Sequence, residues 1–375
     1  MRVLLLTNHV DVGGITAYLL NLCSALHGRD GFEYVIASRG GELEGEFAKM
    51  GVRHIRLPLT TKCEVSPKVG ISFLKLRPLM REYSLDAIHA HTRVTQVLAS
   101  FLSAATKKPY LSTCHGYFKP RLTRRLWPCW GQKVIAISDP VRDHLIEDFR
   151  WDPRRIALIY NGVDISRFHD FDNEAIAAEK KRLGLDPGKK VVGHIGRLSS
   201  VKGQKYMVLA AAQICRARND AQFLIIGDGE EEGALKQVIK ENNLEGVFFL
   251  RSSVKDTALA LSLMDIFVLP SLQEGLGLSL LEAQAQGVPV IATRVGGILS
   301  AVTDARTGLL CPAADPAALA GAVLRLLEDE SLRQALVLAA KKQIEEKFSL
   351  SVMALRTRQV YEETSTLMYD PAPSL

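Results

Sequence analysis

Short apolar runs alternate along the chain with stretches whose apolar residues recur every three or four positions. "RVLLLT" near the N-terminus is strand-like, and "ITAYLLNLCSALH" has helical spacing. "YVIAS", "LDAIHAH", "PYLSTCH" and "KVIAIS" continue the strand series of the first half. The scheme restarts at "KKVVGHIG", with strands "QFLIIG", "VFFL", "IFVLP" and "PVIAT" and helical stretches "GQKYMVLAAAQICRAR" and "DTALALSLM". Strands alternating with helices predict parallel sheets built from βαβ units, so each half reads as its own doubly wound, Rossmann-like α/β domain. The expected division is a first domain over 1–165, a polar linker over 166–188 carrying the turn signal "DPG", and a second domain over 189–350. "DPAALAGAVLRLLEDESLRQALVLAAKKQIEEKF" is strongly helical. A final helix within 351–375 is expected to return to the first domain, and "YDPAPSL" to fray.

Composition adds bounds. The 375 residues are 47% hydrophobic and 23% charged, an ordinary globular balance for two domains. No apolar run reaches the roughly 18 residues of a membrane-spanning helix. The four-residue run Val3–Leu6 is too short for a signal peptide, so a cytoplasmic location is expected. Six scattered cysteines contain no Cys-x-x-Cys pair, which argues against a disulfide framework or zinc site and fits a reducing compartment.

Charge is uneven. Residues 1–165 carry 23 Lys and Arg against 15 Asp and Glu, a net of +8, whereas 166–375 carry 24 against 26, a net of −2. No acidic residue occurs from Ala87 to Ser138. This asymmetry predicts an anionic partner for the first half.

Open α/β sheets bind ligands beyond the carboxyl ends of their strands, and two facing sheets would make a cleft there. After the first strand of half one comes "NHVDVGGITAY", where Gly13 and Gly14 precede a helix. Glycines there admit a close ligand, and the helix start offers N–H groups to an anion, although a tight turn needs the same residues. A nicotinamide cofactor is disfavoured: there is no G-x-G-x-x-G, and the second strand ends in Ser38-Arg39 rather than an acid. The matching loop of half two, "GRLSSVKGQ", places Arg197 and Lys202 where a diphosphate would require one guanidinium and one ammonium. The alternative is a pair of solvated surface cations.

"SLQEGLGLSLLEA" sets Glu274 on a strand-to-helix loop and Glu282 within the next helix, with Gly275, Leu276 and Gly277 between. A carboxylate can accept two hydroxyls, so two acids flanking a glycine loop suit a sugar nucleotide. A loop acid and an unrelated helix-surface acid are the bland alternative. His115 ends the strand "PYLSTCH", where a packed core histidine is also common. His89 and His91 share a strand face but lack an obvious third metal ligand. "DFD" at Asp170–Asp172 imitates a metal-binding D-x-D but lies away from any strand end, so no metal is expected there.

"GRLSSVKG" followed by "PSLQEGLGLSLLEAQAQGVPVIATRVGG" resembles the pattern of glycosyltransferase family 4, with its glutamates spaced E-x7-E. The N-terminal "GG", "TCHG" at Thr113–Gly116, "VIAISD", "YNGVD" and "TGLLCP" are similar to it as well, so the resemblance covers nearly the whole chain. It implies the two-domain GT-B fold and retaining transfer from a nucleoside-diphosphate sugar, most simply a UDP-sugar, with no further cofactor. By that resemblance Gly13 and Gly14 lend backbone to the diphosphate, Arg197 and Lys202 neutralise it, and Glu274 with loop amides 275–277 holds the sugar. Glu282 would bind the ribose, and His115 would sit in the reaction centre. Two departures leave the donor open: Leu299-Ser300 stands where many members carry an acid, and Ala17 where many carry a base.

The expected activity is sugar transfer to a hydroxyl of a glycan or glycolipid, as in lipopolysaccharide core synthesis. Alternatives are a sugar-nucleotide epimerase or a non-catalytic glycan- or lipid-binding subunit. The segment "YFKPRLTRRLWPCWGQK" carries Lys119, Arg121, Arg124, Arg125 and Lys133 with Trp127 and Trp130. Spacing places the three arginines on one helix face, and tryptophans suit a lipid–water boundary. An anionic acceptor or the inner face of the cytoplasmic membrane is expected to meet this surface, and nucleic acid is not, for want of any matching motif.

Overall fold

The structure is a computed structural model describing residues 1–61, 63–254 and 256–366. It divides into two compact units: Met1–Gly162 with the chain from Leu350 onward, and Val163–Ser349. The expected fraying of the last seven residues lies outside the described residues.

In the first unit the strands are β1 (Arg2–Leu6), β2 (Glu33–Ser38), β3 (Arg53–Arg56), β4 (Ala87–Ala90), β5 (Tyr110–Cys114), β6 (Lys133–Ala136) and β7 (Ile156–Leu158). They form one parallel sheet in the order β3-β2-β1-β4-β5-β6-β7. The second unit holds β8 (Lys190–Ile195), β9 (Ala221–Ile226), β10 (Phe248–Arg251), β11 (Ile266–Leu269), β12 (Val290–Thr293) and β13 (Leu309–Cys311). These are also parallel, in the order β10-β9-β8-β11-β12-β13. Helices cover both faces, so the central strands must be apolar along their whole length. Val3 to Leu6, Ile266 to Leu269 and Ile291 are all fully buried. Each order reverses once, between β1 and β4 and between β8 and β11. Diverging connections leave a crevice beyond the strand ends at these two points.

One expectation needs correction. The segment 166–188 is no free linker: it belongs to the second unit and contains a helix, Asn173–Arg182. Its hydrogen bonds explain this, since the Gln222 side chain bridges Asp186 N and O. The long helical stretch after Asp315 is two helices, Pro316–Glu328 and Glu330–Lys347. Asp329 breaks it by leaving helical geometry and accepting from Leu332 N, which caps the second helix.

The last described helix, Leu350–Thr366, belongs to the first unit. Met353, Val360 and Tyr361 join a core with Tyr18, Leu22, Tyr34 and Ile36.

Candidate functional site

In the second unit, the loops after β8 and β11 leave the sheet side by side at the reversal. The first runs from Gly196 through a 3₁₀ turn, Ser200–Lys202, to the helix Gln204–Ala217. Leu272 N donates to Val201 O at 2.8 Å, which ties the second loop to the first. Gly203 has φ +64°, and a Cβ there would lie 2.2 Å from Pro270 O, so no side chain fits at this crossing. Gln204 donates from its side-chain amide to Arg197 O at 2.8 Å. That bond fixes the Arg197 backbone and leaves its guanidinium exposed, with no ion pair among the described residues.

Lys202 and Glu274 meet. Lys202 Nζ donates to Glu274 Oε2 at 2.5 Å, and Ser271 Oγ donates to the same oxygen at 3.2 Å. The two side chains are 21% and 12% exposed, so the pair is largely shielded from water yet still reachable. The loop behind it is pinned by Gly297 N donating to Glu274 O at 2.9 Å. A Cβ on Gly297 would fall 1.8 Å from Gly275 O. Leu276 is buried, whereas Gly277, at φ +91°, starts the helix Leu278–Gln286. Leu280 N and Leu281 N donate to Gly277 O, and the N–H groups of Leu278 and Ser279 at the helix start make a favourable place for negative charge.

Glu282 lies in the second turn of this helix and accepts from Thr257 Oγ1 at 3.0 Å. Desolvation pushes its carboxyl up to about 7, opposed by that hydrogen bond and by the charge of Arg167. Arg167 in turn pairs with Asp256 at 2.9 Å. One hydrogen bond leaves most of the carboxylate's acceptor capacity unused, and hydroxyl donors would fill it. Sequence spacing identified Glu274 and Glu282 but not Ser271, Thr257 or Arg167. The last two come from distant loops and carry no local signal.

In the first unit, Gly13 and Gly14 stand at the start of the helix Gly14–Leu26, beyond β1. A Cβ on either would meet nothing within 4 Å, so no contact of the chain itself requires glycine there. His115 follows β5 and is half-buried. Its Nε2 lies 3.1 Å from Nδ1 of His91, which follows β4. Tyr18 sets its ring edge against His115, with centroids 5.0 Å apart at 76°. Burial pushes the His115 imidazole down to about 3 and His91 well below its ordinary value, so both are neutral near pH 7. His89 bonds Tyr361 OH at 2.8 Å and Thr113 Oγ1 at 2.7 Å, which occupies both ring nitrogens. Among the described residues no three His, Cys, Asp or Glu side chains converge as a metal site. Asp172 of "DFD" instead caps a helix by accepting from Ala175 N.

The basic segment is only partly as expected. Its helix is short, Leu122–Leu126, and leaves Arg121 outside. Arg124 turns inward, 3.7 Å from Glu64 and with its guanidinium 4.6 Å from the Phe118 ring centroid. Arg93 holds the other Glu64 oxygen at 2.8 Å and donates to Trp127 O and Pro128 O, anchoring the following turn. The three arginines therefore do not share one exposed face, because an acid from outside the acid-free stretch draws Arg124 in. Trp130 is fully buried, and Lys133 pairs with Glu363. Lys119, Arg121 and Arg125 stay exposed, beside Leu122, Leu126 and Trp127 at 71%, 78% and 40%.

The chain matches known proteins along most of its length. Residues 12–167 match the family model Glycosyltransferase Family 4, and 175–343 match Glycosyl transferases group 1. It is 29% identical to the D-inositol 3-phosphate glycosyltransferase of Corynebacterium urealyticum, over 87% of this chain and 85% of that one. It is 29% identical to the UDP-Gal:alpha-D-GlcNAc-diphosphoundecaprenol alpha-1,3-galactosyltransferase of Escherichia coli, over 70% and 71%. Anabaena HepE, solved with UDP and glucose, superposes with a TM-score of 0.85 at 20% identity, covering 96% of this chain and 99% of that one. That likeness extends to the whole two-domain α/β GT-B fold. Two parallel sheets with paired acids beyond a reversal point, and matches spanning both of them, lead to one assignment: the chain belongs to the nucleotide-sugar-dependent glycosyltransferases of the GT-B fold.

Proposed function

We propose that this enzyme takes the sugar of a UDP-sugar and transfers it, with retention at the anomeric carbon, to a hydroxyl of a glycan or lipid-linked glycan. The observation that carries the reading is the Lys202–Glu274 pair at the β8/β11 reversal, with Glu282 in the second turn of the adjoining helix. A diphosphate entering there gives Lys202 a second anionic partner, and Arg197 has no acid to release first. Negative charge builds on the departing diphosphate as the anomeric bond breaks. Two cations and a helix N-terminus stabilise it. Glu274 then turns to hydroxyls of the sugar, and Glu282 accepts those of the ribose.

No metal or other cofactor is required in this reading. Its support is the cations themselves: Lys202 at the reversal and Arg197, exposed on the adjoining loop with no ion pair among the described residues. Transfer is favoured over epimerisation or mere binding because Lys202 and Glu274 meet across the two loops and the matched relatives are named as transferases.

For the acceptor, the exposed cations Lys119, Arg121 and Arg125 beside Leu122, Leu126 and Trp127 support an anionic glycolipid at the inner membrane surface. Each cation near such a surface contributes about 1 kcal/mol, enough together for weak, salt-reversible attachment. Among the described residues no helix is long and apolar enough to cross a membrane. The decisive experiment is nucleoside diphosphate release from UDP- and GDP-sugars, with and without a lipid-linked glycan acceptor, in EDTA and in magnesium. Acceptor-dependent UDP release that survives EDTA supports the reading. Acceptor-independent turnover of the sugar, or release restored only by metal, overturns the corresponding part.

A further inference from the structure

We propose that His91 is a positioning residue that fixes the tautomer of His115, so that His115 presents its Nδ1–H to bound substrate. The inference rests on the reading above in one respect, that His115 borders the transferred sugar. The geometry itself is independent of that reading. His91 is 1% exposed, and its backbone N–H is spent on Leu6 O at 2.9 Å. Its Nδ1 and His115 Nε2 stand 3.1 Å apart, so one nitrogen must carry the proton and the other must accept it. Both rings are too desolvated to be imidazolium, and His89 and His115 push the His91 ring further the same way.

Two tautomer arrangements satisfy this bond. If His115 donated, His91 would carry its own proton on Nε2, which is buried and has no hydrogen-bond partner among the described residues. An orphaned buried N–H is among the rarest groups in folded proteins. If His91 Nδ1–H donates instead, only a bare ring nitrogen is left among the rings of Tyr18 and His89, whose centroids lie 5.6 Å and 4.1 Å away. The second arrangement therefore prevails. It places the His115 proton on Nδ1, the nitrogen that makes no bond within the described chain. His115 is then a hydrogen-bond donor toward a sugar oxygen and not a general base. Tyr18, packed edge-on at 5.0 Å, keeps the ring from rotating. His89 cannot take over the role, because both of its nitrogens are already engaged.

The test is 15N-edited NMR of the full-length protein with 15N-labelled imidazoles, which reports the protonated nitrogen of each neutral histidine. Wild type is expected to show His115 as the Nδ1–H tautomer. In His91→Phe the constraint is gone, and His115 should shift toward Nε2–H. His91→Asn, whose amide can donate from nearly the same place, should keep Nδ1–H. Turnover should fall by roughly ten- to a hundredfold in His91→Phe with little change in donor KM, the loss seen when a group fixing a histidine's tautomer is removed, and recover in His91→Asn. An Nε2–H tautomer in wild type overturns the proposal without any variant, as does an unchanged tautomer in a folded His91→Phe. Full activity in His115→Ala would instead remove the substrate-contact reading and leave the tautomer result to stand alone.

Discussion

Lys202 Nζ rests 2.5 Å from Glu274 Oε2, across 72 residues of sequence, and the contact joins the two loops that flank the β8/β11 reversal. Each partner is therefore both a structural tie and a proposed ligand group. Removing either leaves a partly buried charge unpaired, which is more costly than losing both. Lys202→Met and Glu274→Gln are each expected to lower stability in urea melts, and the double variant to lose less than the two singles combined. Lys202→Met should also lower turnover by about 2.7–4 kcal/mol of barrier, the usual cost of one electrostatic donor. Additive stabilities, or wild-type turnover without Lys202, would remove the pair from the site.

Glu282 gives a pH signature. Its carboxyl is raised from 4.5 to about 7 in the folded chain. Between those values the folded protein keeps a proton that the unfolded chain has lost. Its contribution is therefore fully present below pH 4.5 and lost as pH rises through 7. Relative to Glu282→Gln, wild type should lose at most about 3 kcal/mol across that window. UDP affinity by calorimetry should move the opposite way, rising from pH 6 to 8 as the carboxylate becomes the better hydroxyl acceptor. The rise should be smaller in Glu282→Gln, where only the terminal phosphate of UDP still titrates in this range. A wild-type affinity that is flat over this range would deny Glu282 the ribose.

Two glycine substitutions should separate folding from binding. In Gly297→Ala the new methyl meets Gly275 O at 1.8 Å, so the loop must move, and overpacking of this kind costs about 1–3 kcal/mol. In Gly14→Ala nothing is met within 4 Å, and alanine favours the helix, so the melting temperature should hold or rise. Transfer activity should fall in both. An active Gly14→Ala would mean that no ligand approaches that backbone.

The arginines near residue 124 should also divide. Arg124→Ala loses its Glu64 and Phe118 contacts and should destabilise the first domain. The Arg121→Ala, Arg125→Ala double variant should melt like wild type but sediment less with anionic vesicles at low salt. Equal sedimentation of the double variant and wild type, with unchanged acceptor kinetics, would leave these cations without a partner.

Most of this architecture was legible in the sequence because buried parallel strands leave unbroken apolar runs. The missed strands are informative: β3, β7 and β13 all lie at sheet edges, and β3 reads "RHIR", with no apolar run to see. An edge strand is held by one neighbour and needs little burial of its own. At the site, the acids and cations were legible from spacing. Their supports, Ser271, Thr257 and Arg167, were not, because hydrogen bonding across loops leaves no period in the chain; His91 stood out beside His89 on one strand, but its contact with His115 did not. Arg124 misled for the converse reason: helical spacing describes a face but does not say which distant acid will claim a side chain lying on it.

The helix Leu350–Thr366 fills the core beneath β1 and β4, and Tyr361 bonds His89 from there. The first domain is thus discontinuous in sequence, while the second, Val163–Ser349, is continuous. On the ribosome, residues 1–162 emerge first but lack the piece that seals their apolar interior. The order of completion is reversed relative to the order of synthesis: the second domain can close on itself while the first waits, with Tyr18, Tyr34 and Phe32 uncovered, for the chain's final helix. That interval is when this protein is most exposed to aggregation, and a stop codon shortly before Leu350 would make it permanent.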